Sequence, residues 1–492
     1  MSSKSQRAPA ARLVGWLGWA GLDAVGRLAL MTGSTIVFSR LLAPRDFGVA
    51  ALVLTIVAAA AIFVGTPFEE ALAQRRHLRM KHLRAALGAS WAIAAVILAI
   101  SIAGAKWLAA RYGEPEIGVF LPVAMASIFF SGHSDIATAL ARRLRKFNDV
   151  AYATLVGHII GVGLSLVIAV AGFGVWALVL QRPLILAVRA VLLQARLGYF
   201  IRPVLSFGLA REFGRFAGVS FLARLTDNVT YLVFNNVVEA FYGVAVLGQV
   251  NMAMRLIEPI RGAILATSHN LAFTFFARAS DPLRQRVLIE QVVSQAAIAT
   301  APVFMGMAAI APQLLPIVAG PGWDDAVGIT ICLSIASVFA VPSQLIYTAF
   351  SANARPGLSF VSLIFGFAAI LLILVGFRSF GPISVGLSRI AGDVMRAGFA
   401  VGLSSSYLGL SRRARFDALV PAWAYAGAMG YSVYVLGAFV PDHPAMLKLA
   451  LLILCGIIIY AALVLTLARP TADALMSHVQ LPKWRRRSEF TS

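Results

Sequence analysis

Long apolar stretches separated by short polar gaps dominate the pattern of this chain. Each stretch holds about 20 residues, the length that an α-helix needs to cross a hydrocarbon core roughly 30 Å thick. The period-two alternation expected of membrane-barrel strands is absent. The stretches lie near 16–40, 47–72, 85–109, 117–140, 150–171, 174–194, 216–238, 244–268, 287–311, 326–352, 357–377, 381–405, 418–438 and 445–468. The pattern predicts an all-α integral membrane protein with about 14 transmembrane helices.

The gaps between these stretches alternate between strongly basic and nearly free of basic residues. The basic gaps include 74–84, 141–147, 194–215, 278–286 and 411–415, and the tail adds 483–487. The other gaps contain only Arg45, Arg111 and Arg378. Because Lys and Arg in short loops stay on the cytoplasmic side, both termini are expected in the cytoplasm. Such a multi-pass protein fits the inner membrane of a bacterium.

Composition supports the membrane assignment and excludes two alternatives. The chain is 60% hydrophobic and 13% charged, with a mean hydropathy of +0.83. Its net charge of +21 does not indicate nucleic-acid binding, because the basic residues are spread over many short gaps. Cys332 and Cys455 lie in apolar runs and imply no disulfide framework. Asp23 and Arg27 interrupt the first apolar stretch, and no clear cleavage site follows, so we expect an uncleaved first span.

The short gaps leave no room for a catalytic domain. The longest predicted outer loop is 311–326, and the chain contains no GxxxxGK[ST] phosphate-binding loop. His77 and His82 have poor spacing for a metal site. We therefore expect that the protein is not an enzyme and that it binds no metal and no cofactor. A membrane glycosyl polymerase or ligase, the rival from another class, would need a large outer loop.

Two helix starts suggest an internal repeat. Residues 20–28 (AGLDAVGRL) and 217–225 (AGVSFLARL) align Arg27 with Arg224. With six spans on each side, they predict two six-helix lobes related as parallel repeats, followed by two C-terminal helices. The expected domains are an N-terminal lobe at 1–205, a C-terminal lobe at 206–410, and two helices with a basic tail at 411–492.

Charged residues recur inside the predicted spans, where facing lipid costs several kcal/mol. Arg224 and Asp227 are one helical turn apart, and Arg255, Glu258 and Arg261 follow at three-residue steps. One interpretation gives these charges a structural role. Ion pairs would join neighbouring helices, and arginines near helix ends would extend to lipid phosphates. The other interpretation is a hydrated cleft in which arginine guanidinium groups bind a diphosphate through paired hydrogen bonds. The substrate-binding candidates are Arg27, Arg224, Asp227, Arg255 and Glu258.

Other polar residues in the spans are weaker candidates. His133, Asp135 and Asp393 are candidates for ion coupling, and Arg389 and Arg396 lie on the same stripe as Asp393. Arg189, Arg261 and Arg396 are explained well as arginines that reach phosphates near the cytoplasmic ends of their helices. Two GxxxG patterns, Gly157 to Gly161 and Gly398 to Gly402, indicate close helix packing. Trp323 is typical of an interfacial anchor.

Three segments resemble bacterial polysaccharide exporters of the Wzx and succinoglycan-exporter type. Residues 227–260 resemble the seventh and eighth helices of that family, through Leu247, Gly248, Ala253, Arg255, Leu256 and Pro259. Residues 311–326 resemble its Gly-Pro-x-Trp loop, and 39–52 its first turn between helices. Val250 stands where the family has tyrosine. The resemblance implies membership of the multidrug/oligosaccharidyl-lipid/polysaccharide exporter superfamily.

The resemblance also implies a fold and an activity. The fold would be two six-helix lobes around a central cavity that works by alternating access. The activity would be flipping oligosaccharide repeat units, linked to undecaprenyl diphosphate, across the inner membrane for exopolysaccharide or O-antigen synthesis. A lipid II flippase and a multidrug exporter of the same superfamily remain alternatives. Its partners would be the lipid-linked substrate, the bilayer, and a polysaccharide polymerase with chain-length machinery, but no nucleic acid.

Overall fold

The structure, a computed structural model, describes residues 26–467 apart from 66–67, 70–71, 73–74, 76, 207, 209–217, 279–280, 354, 356 and 442–443. The described residues form α-helices joined by turns and short loops, with one 3₁₀ turn at Arg378–Phe380. No strand occurs among them. The predicted all-α class is therefore confirmed.

The helices follow one another with few residues between them. In chain order they are α1 (26–41), α2 (Pro44–Ala61), α3 (Met80–Tyr112), α4 (Ile117–Met125), α5 (Ser127–Arg143), α6 (Phe147–Val170), α7 (Val175–Leu197), α8 (Gly218–Arg278), α9 (Pro282–Ala319), α10 (Asp324–Ala352), α11 (Gly357–Gly376), α12 (Ile383–Leu408), α13 (Arg412–Phe439) and α14 (Ala445–Leu467). Within the described residues, 10 helical segments are long and apolar enough to cross a membrane. The chain is an integral membrane protein, and the figure of about 14 spans stays a prediction.

Local sequence explains where several of these helices begin and end. Pro44 occupies the first turn of α2, where no backbone N–H is needed, and the Asp46 carboxylate accepts the Ala43 N–H at 3.0 Å. Gly113 and Gly198 end α3 and α7 with φ of 66° and 71°, a left-handed conformation that glycine adopts without a steric penalty. The boundaries of these helices therefore follow from turn chemistry as well as hydropathy.

Two predicted boundaries are wrong. The predicted outer loop at 311–326 is largely helical, because α9 continues through Pro312 and Pro316 to Ala319. Neighbouring groups in a membrane protein can satisfy the carbonyl that each proline frees, so proline does not force a loop there. The predicted span 47–72 is also too long, because α2 ends at Ala61 and turn residues follow at 62–65.

One residue interrupts the longest helix. Gly243 in α8 has φ 81° and ψ 173°, values that lie outside the helical region, and helix resumes on both sides of it. This break falls in the predicted gap between the spans 216–238 and 244–268. An extended conformation with positive φ is available essentially to glycine alone, so Gly243 divides α8 into two helical parts.

The helices form two compact units. Unit 1 holds the described parts of Met1–Ala263 with Val318–Ala326 and Arg378–Val385, and unit 2 holds Ile264–Ile317, Val327–Phe377 and the remainder from Gly386. The core of unit 1 includes Leu83, Leu87, Ala137, Ala141 and Leu193. The core of unit 2 includes Phe276, Val293, Tyr347, Phe350 and Ala400. Each unit thus buries an apolar core of its own.

The two GxxxG patterns have different outcomes. A Cβ on Gly161 would lie 2.6 Å from the backbone nitrogen of Ile185, so α6 packs closely on α7 there as predicted. Gly398 and Gly402 have no neighbouring atom within 4 Å of a Cβ position. They line an apolar groove of about 700 Å³ in unit 2. The prediction of close packing is therefore wrong for this second pair.

Candidate functional site

Arg255 lies in the second part of α8, in unit 1, and is half-buried. Its Nε donates to the Oδ1 of Asn251 at 3.0 Å, and its guanidinium carbon lies 5.4 Å from the centre of the Phe47 ring of α2. Glu258 instead faces Arg261, with 3.6 Å between the charged atoms. Of the five N–H donors that an arginine carries, one is directed to Asn251. Arg255 is therefore oriented by a neutral amide and an aromatic ring.

Two glycines allow α8 to approach α2 at the level just before Arg255. A Cβ on Gly248 would overlap the carbonyl oxygen of Pro44, and a Cβ on Gly48 would overlap the carbonyl oxygen of Val244. Backbone lies directly against backbone, as small residues permit in membrane helices. We call this contact of Pro44, Gly48, Val244 and Gly248 the glycine crossing. It places Phe47 beside Arg255.

The segment after α9 packs onto the glycine crossing. Trp323 is buried, donates from Nε1 to the Ser39 carbonyl oxygen at 3.1 Å, and meets Phe47 edge to face at 4.9 Å. The Gln249 amide donates to the Gly322 carbonyl at 2.9 Å and accepts the Ala326 N–H at 3.1 Å. Trp323 is thus part of a buried contact, and its interpretation as an interfacial anchor is wrong. The motif residues hold the helix that carries Arg255.

A second polar group in unit 1 surrounds Asp135 of α5. Gly65 lies against its carboxylate, where a Cβ would overlap Oδ2. The charged side chains that act on Asp135 are Glu69, Arg182 and Arg189. We call these four residues the Asp135 cluster. Its two carboxylates and two guanidiniums balance each other in formal charge.

Hydrogen bonds connect the Asp135 cluster to its surroundings. Arg189 donates from Nη2 to the Thr138 hydroxyl of α5 at 3.0 Å, and Arg142 lies 2.6 Å from Glu69. Arg189 is half-buried and bonds to a neighbouring helix, so its interpretation as an arginine that reaches lipid phosphates is wrong. Arg27 of α1 lies within electrostatic range of Arg189. Arg27 and Arg142 thus add two further positive charges at the edge of the Asp135 cluster.

His133 and Asp135 are only two positions apart in the sequence, but their side chains lie in different surroundings. The His133 ring centre is 6.2 Å from that of Trp91 in α3, whereas Asp135 faces Gly65 and the arginines of α7. Two residues rotate a helix by about 200°, which accounts for the separation. His133 and Asp135 remain individual candidates for ion coupling, each with its own surroundings.

Asp393, the third candidate for ion coupling, lies in unit 2 and is buried, as is Arg389 one turn earlier. The Arg396 side chain packs on Gly366, and its guanidinium carbon is 5.9 Å from the centre of the Tyr347 ring. Arg396 is thus held by packing and by an aromatic ring. Arg389, Asp393 and Arg396 form a row of buried or half-buried polar side chains on α12.

The predicted substrate site is only partly described. Arg224 and Asp227 belong to the helical backbone of α8, but their side chains lie outside the described residues. Arg27 has Arg189 of the Asp135 cluster as a neighbour, whereas Arg255 and Glu258 belong to the part of α8 after Gly243. Arg27 and Arg255 therefore have different described neighbours within unit 1.

A row of polar residues on the first part of α8 was not singled out from the sequence. Asn235 donates to the Thr55 hydroxyl at 2.7 Å, Asn236 accepts the Tyr112 hydroxyl at 2.6 Å, and Glu239 lies 4.0 Å from Arg111. Tyr242 shares a hydrogen bond with the Ser384 hydroxyl at 2.6 Å. The signal was present in the sequence as NNVVEAFY, four polar groups within eight positions of an apolar helix.

Unit 2 contains an apolar groove of about 490 Å³ formed by α9, α13 and α14. Its walls include Pro302, Met307, Met429, Val433, Ile457 and Tyr460. Across the described parts of the chain, no three His, Cys, Asp or Glu side chains come together as metal ligands. The described residues thus provide cations within membrane helices, clusters of opposite charges, and apolar grooves.

Sequence comparisons place these features in a family context. A family profile described as "Polysaccharide biosynthesis protein" matches residues 37–328, more than half of the chain. The succinoglycan biosynthesis transport protein ExoT of Rhizobium meliloti (strain 1021) is 24% identical over 311 residues. That match covers 62% of this chain and 62% of the relative. The resemblance found in the motifs is confirmed.

Structural comparison gives the fold. The lipid II flippase MurJ in an inward closed conformation has a TM-score of 0.75 at 12% identity, covering 94% of this chain and all of that protein. An inward-facing multidrug resistance MATE family transporter of the MOP superfamily has a TM-score of 0.60 at 16% identity, covering 78% of this chain and 98% of the transporter. The chain has the fold shared by these proteins.

Proposed function

The chain belongs to the polysaccharide biosynthesis protein family, and from this premise we propose that it flips oligosaccharide repeat units linked to undecaprenyl diphosphate. The movement is from the inner to the outer leaflet, by alternating access. The product serves exopolysaccharide or O-antigen synthesis. Because the chain covers only 62% of its relative's length, this activity is our inference from the features below.

One observation carries the proposal, the surroundings of Arg255. A half-buried arginine in a membrane helix has a neutral amide and an aromatic face as its described neighbours. An intramembrane cation held in this way is suited to an anionic ligand. Guanidinium groups bind phosphate oxygens through two parallel hydrogen bonds. Arg255 would therefore contact the diphosphate of the lipid carrier, together with Arg27 and Arg224 as further candidates.

Location and organisation complete the proposal. We place the chain in the inner membrane of a bacterium, with both termini in the cytoplasm, about 14 spans, and the domains 1–205, 206–410 and 411–492. A polysaccharide polymerase and chain-length machinery would act on its product. Reporter fusions after each basic gap would check the orientation, because the positive-inside rule predicts cytoplasmic signals at all of them.

The central experiment replaces Arg255 in a strain that lacks the native gene. Arg255→Gln should lower polysaccharide export at least about tenfold, because a hydrogen bond to a charged group contributes about 1.5–3 kcal/mol. Arg255→Lys should keep part of the activity, since it retains charge but loses the forked geometry. Complete lipid-linked repeat units should accumulate where an outer-face hydrolase applied to spheroplasts cannot reach them.

The matched control is Arg284→Gln, which removes an exposed cation near the start of α9. It should export normally at equal protein level. Normal export by Arg255→Gln would refute the diphosphate contact. Repeat units that accumulate on the outer face would move the role to polymerisation, and accumulation of peptidoglycan precursor instead would favour the lipid II alternative.

A further inference from the structure

A groove on unit 1 has not entered the proposed transport path. It lies between α3, α5 and α7 and has a volume of about 550 Å³. Trp91, Phe130, His133, Val191, Tyr199 and Phe200 line it. Val191 is 68% exposed and Phe200 is 71% exposed. Exposed apolar side chains on membrane helices face lipid, and a concave surface lined by them offers an acyl chain more contact than a flat one.

One end of this groove meets basic residues. The segment after α7 runs beside the first turns of α3, where the Val204 N–H donates to the Arg84 carbonyl at 3.0 Å. Gly88 lies against the Val204 backbone, so close that a Cβ would overlap it. Arg84 and Arg202 are both exposed at this end. The groove therefore has an apolar body and a cationic mouth.

The groove extends over much of one leaflet of a bilayer. Its wall along α7 runs from Ala190 to Gly198, eight residues or about 12 Å at 1.5 Å per residue. Half of a hydrocarbon core is roughly 15 Å thick. Tyr199 and Phe200 lie at the end with the basic residues, the position that aromatic side chains favour at a membrane interface.

We propose that this groove binds an anionic glycerophospholipid. The phosphate would lie at Arg84 and Arg202, and an acyl chain would follow the wall from Phe200 past Val191 to Trp91. Charge complementarity selects this occupant, because a zwitterionic lipid gains less from two cations at the mouth. Most of the lining is apolar, with His133 and Gln194 as the polar exceptions, so the groove fits a hydrocarbon chain better than a polar peptide.

The test measures lipid binding to the purified full-length chain by native mass spectrometry, with phosphatidylglycerol and phosphatidylcholine titrated separately. Arg84→Gln combined with Arg202→Gln should weaken phosphatidylglycerol binding roughly thirtyfold, because each cation near an anionic lipid contributes a factor of about five. Binding of phosphatidylcholine should not change. Ala195→Trp, which fills the groove, should weaken binding of both lipids while the thermal midpoint stays the same.

The matched control removes two exposed cations away from the groove, Arg145→Gln with Arg284→Gln, and should bind as the unmodified protein does. Unchanged phosphatidylglycerol binding in the Arg84 and Arg202 variant would overturn the proposal, as would an equal loss in the control. Displacement of phosphatidylglycerol by undecaprenyl phosphate, lost in Ala195→Trp, would assign the groove to a prenyl lipid instead. No transport substrate is present, so these outcomes do not depend on the proposed flippase activity.

Discussion

Arg255 and the Asp135 cluster show two different ways of keeping arginine inside the membrane helices of unit 1. In the Asp135 cluster, two guanidiniums and a second carboxylate lie within electrostatic range of Asp135. Around Arg255, the described contacts are a side-chain amide and an aromatic ring, and the neighbouring helices are joined by glycine and tryptophan packing. Opposite charges position the arginines of the Asp135 cluster, whereas close packing of side chains and backbone positions Arg255.

The difference separates structural from functional arginines more clearly than burial does. A compensated cluster has already satisfied its charges, and removing one member leaves the others unpaired. An arginine with neutral neighbours keeps its positive charge available to a ligand, while the packing around it fixes its position. This contrast is why we propose that Arg255 contacts substrate and that the Asp135 cluster contributes to stability, with Asp135 still a candidate for ion coupling.

The largest loss of stability is expected from Gly248→Ala at the glycine crossing. The added methyl group would overlap the Pro44 carbonyl, so we expect the free energy of unfolding to fall by about 3 kcal/mol, at the upper end for an overpacked core. Detergent-solubilised protein would be unfolded by heat or by denaturant. Gly104→Ala on α3 is the control, because no atom lies within 4 Å of that Cβ position. Equal stability of the two variants would show that shape does not hold the Arg255 region.

A smaller loss is expected from Asp135→Asn, which removes the carboxylate that acts on both Arg182 and Arg189. We expect the free energy of unfolding to fall by about 1.5–3 kcal/mol, the range for an interaction with a charged group. Adding Arg189→Gln should recover about 1 kcal/mol, since neighbouring charges in one network do not act additively. The half-exposed pair of Asp149 and Arg196, 3.5 Å apart, is the control, and Asp149→Asn should cost less than about 1 kcal/mol. A purely additive double variant would contradict a charge-compensated cluster.

The smallest change in stability is expected from Arg255→Gln. Glutamine can still bond to Asn251 and pack on Phe47, so the free energy of unfolding should change by less than about 1 kcal/mol. The same thermal and denaturant measurements would check this value. A loss as large as that of Asp135→Asn would place Arg255 among the structural arginines, and the export defect of the variant would then report misfolding.

Much of the fold was predictable because hydropathy and helix length are tied together in a membrane. The predicted stretch 357–377 became Gly357–Gly376, and 445–468 became Ala445–Leu467. The two errors concern where apolar stretches end. Hydropathy placed a loop at 311–326, but α9 continues through Pro312 and Pro316, and hydropathy extended a span to 72, but α2 ends at Ala61. The effect of a residue on helix continuity thus depends on the neighbours that satisfy the backbone.

The site was less predictable, because sequence spacing does not identify partners on other helices. Spacing put Glu258 within reach of both Arg255 and Arg261, and the structure pairs it with Arg261. Spacing gave no sign that Phe47, about 200 positions away, lies beside Arg255. It also grouped His133 with Asp135, which face different helices. The motif residues near Gly248 were recognised through family resemblance, and only the structure explains them as a packing contact.

The break at Gly243 has a consequence of a different kind from the glycine crossing. Gly48 and Gly248 are needed because no room exists for a methyl group, whereas Gly243 has no neighbouring atom within 4 Å of a Cβ position. Its φ of 81° and ψ of 173° are close to the mirror image of an ordinary extended conformation. A D-alanine would therefore fit at 243 where an L-alanine would be strained, so handedness, rather than space, fixes glycine at this point of the helix.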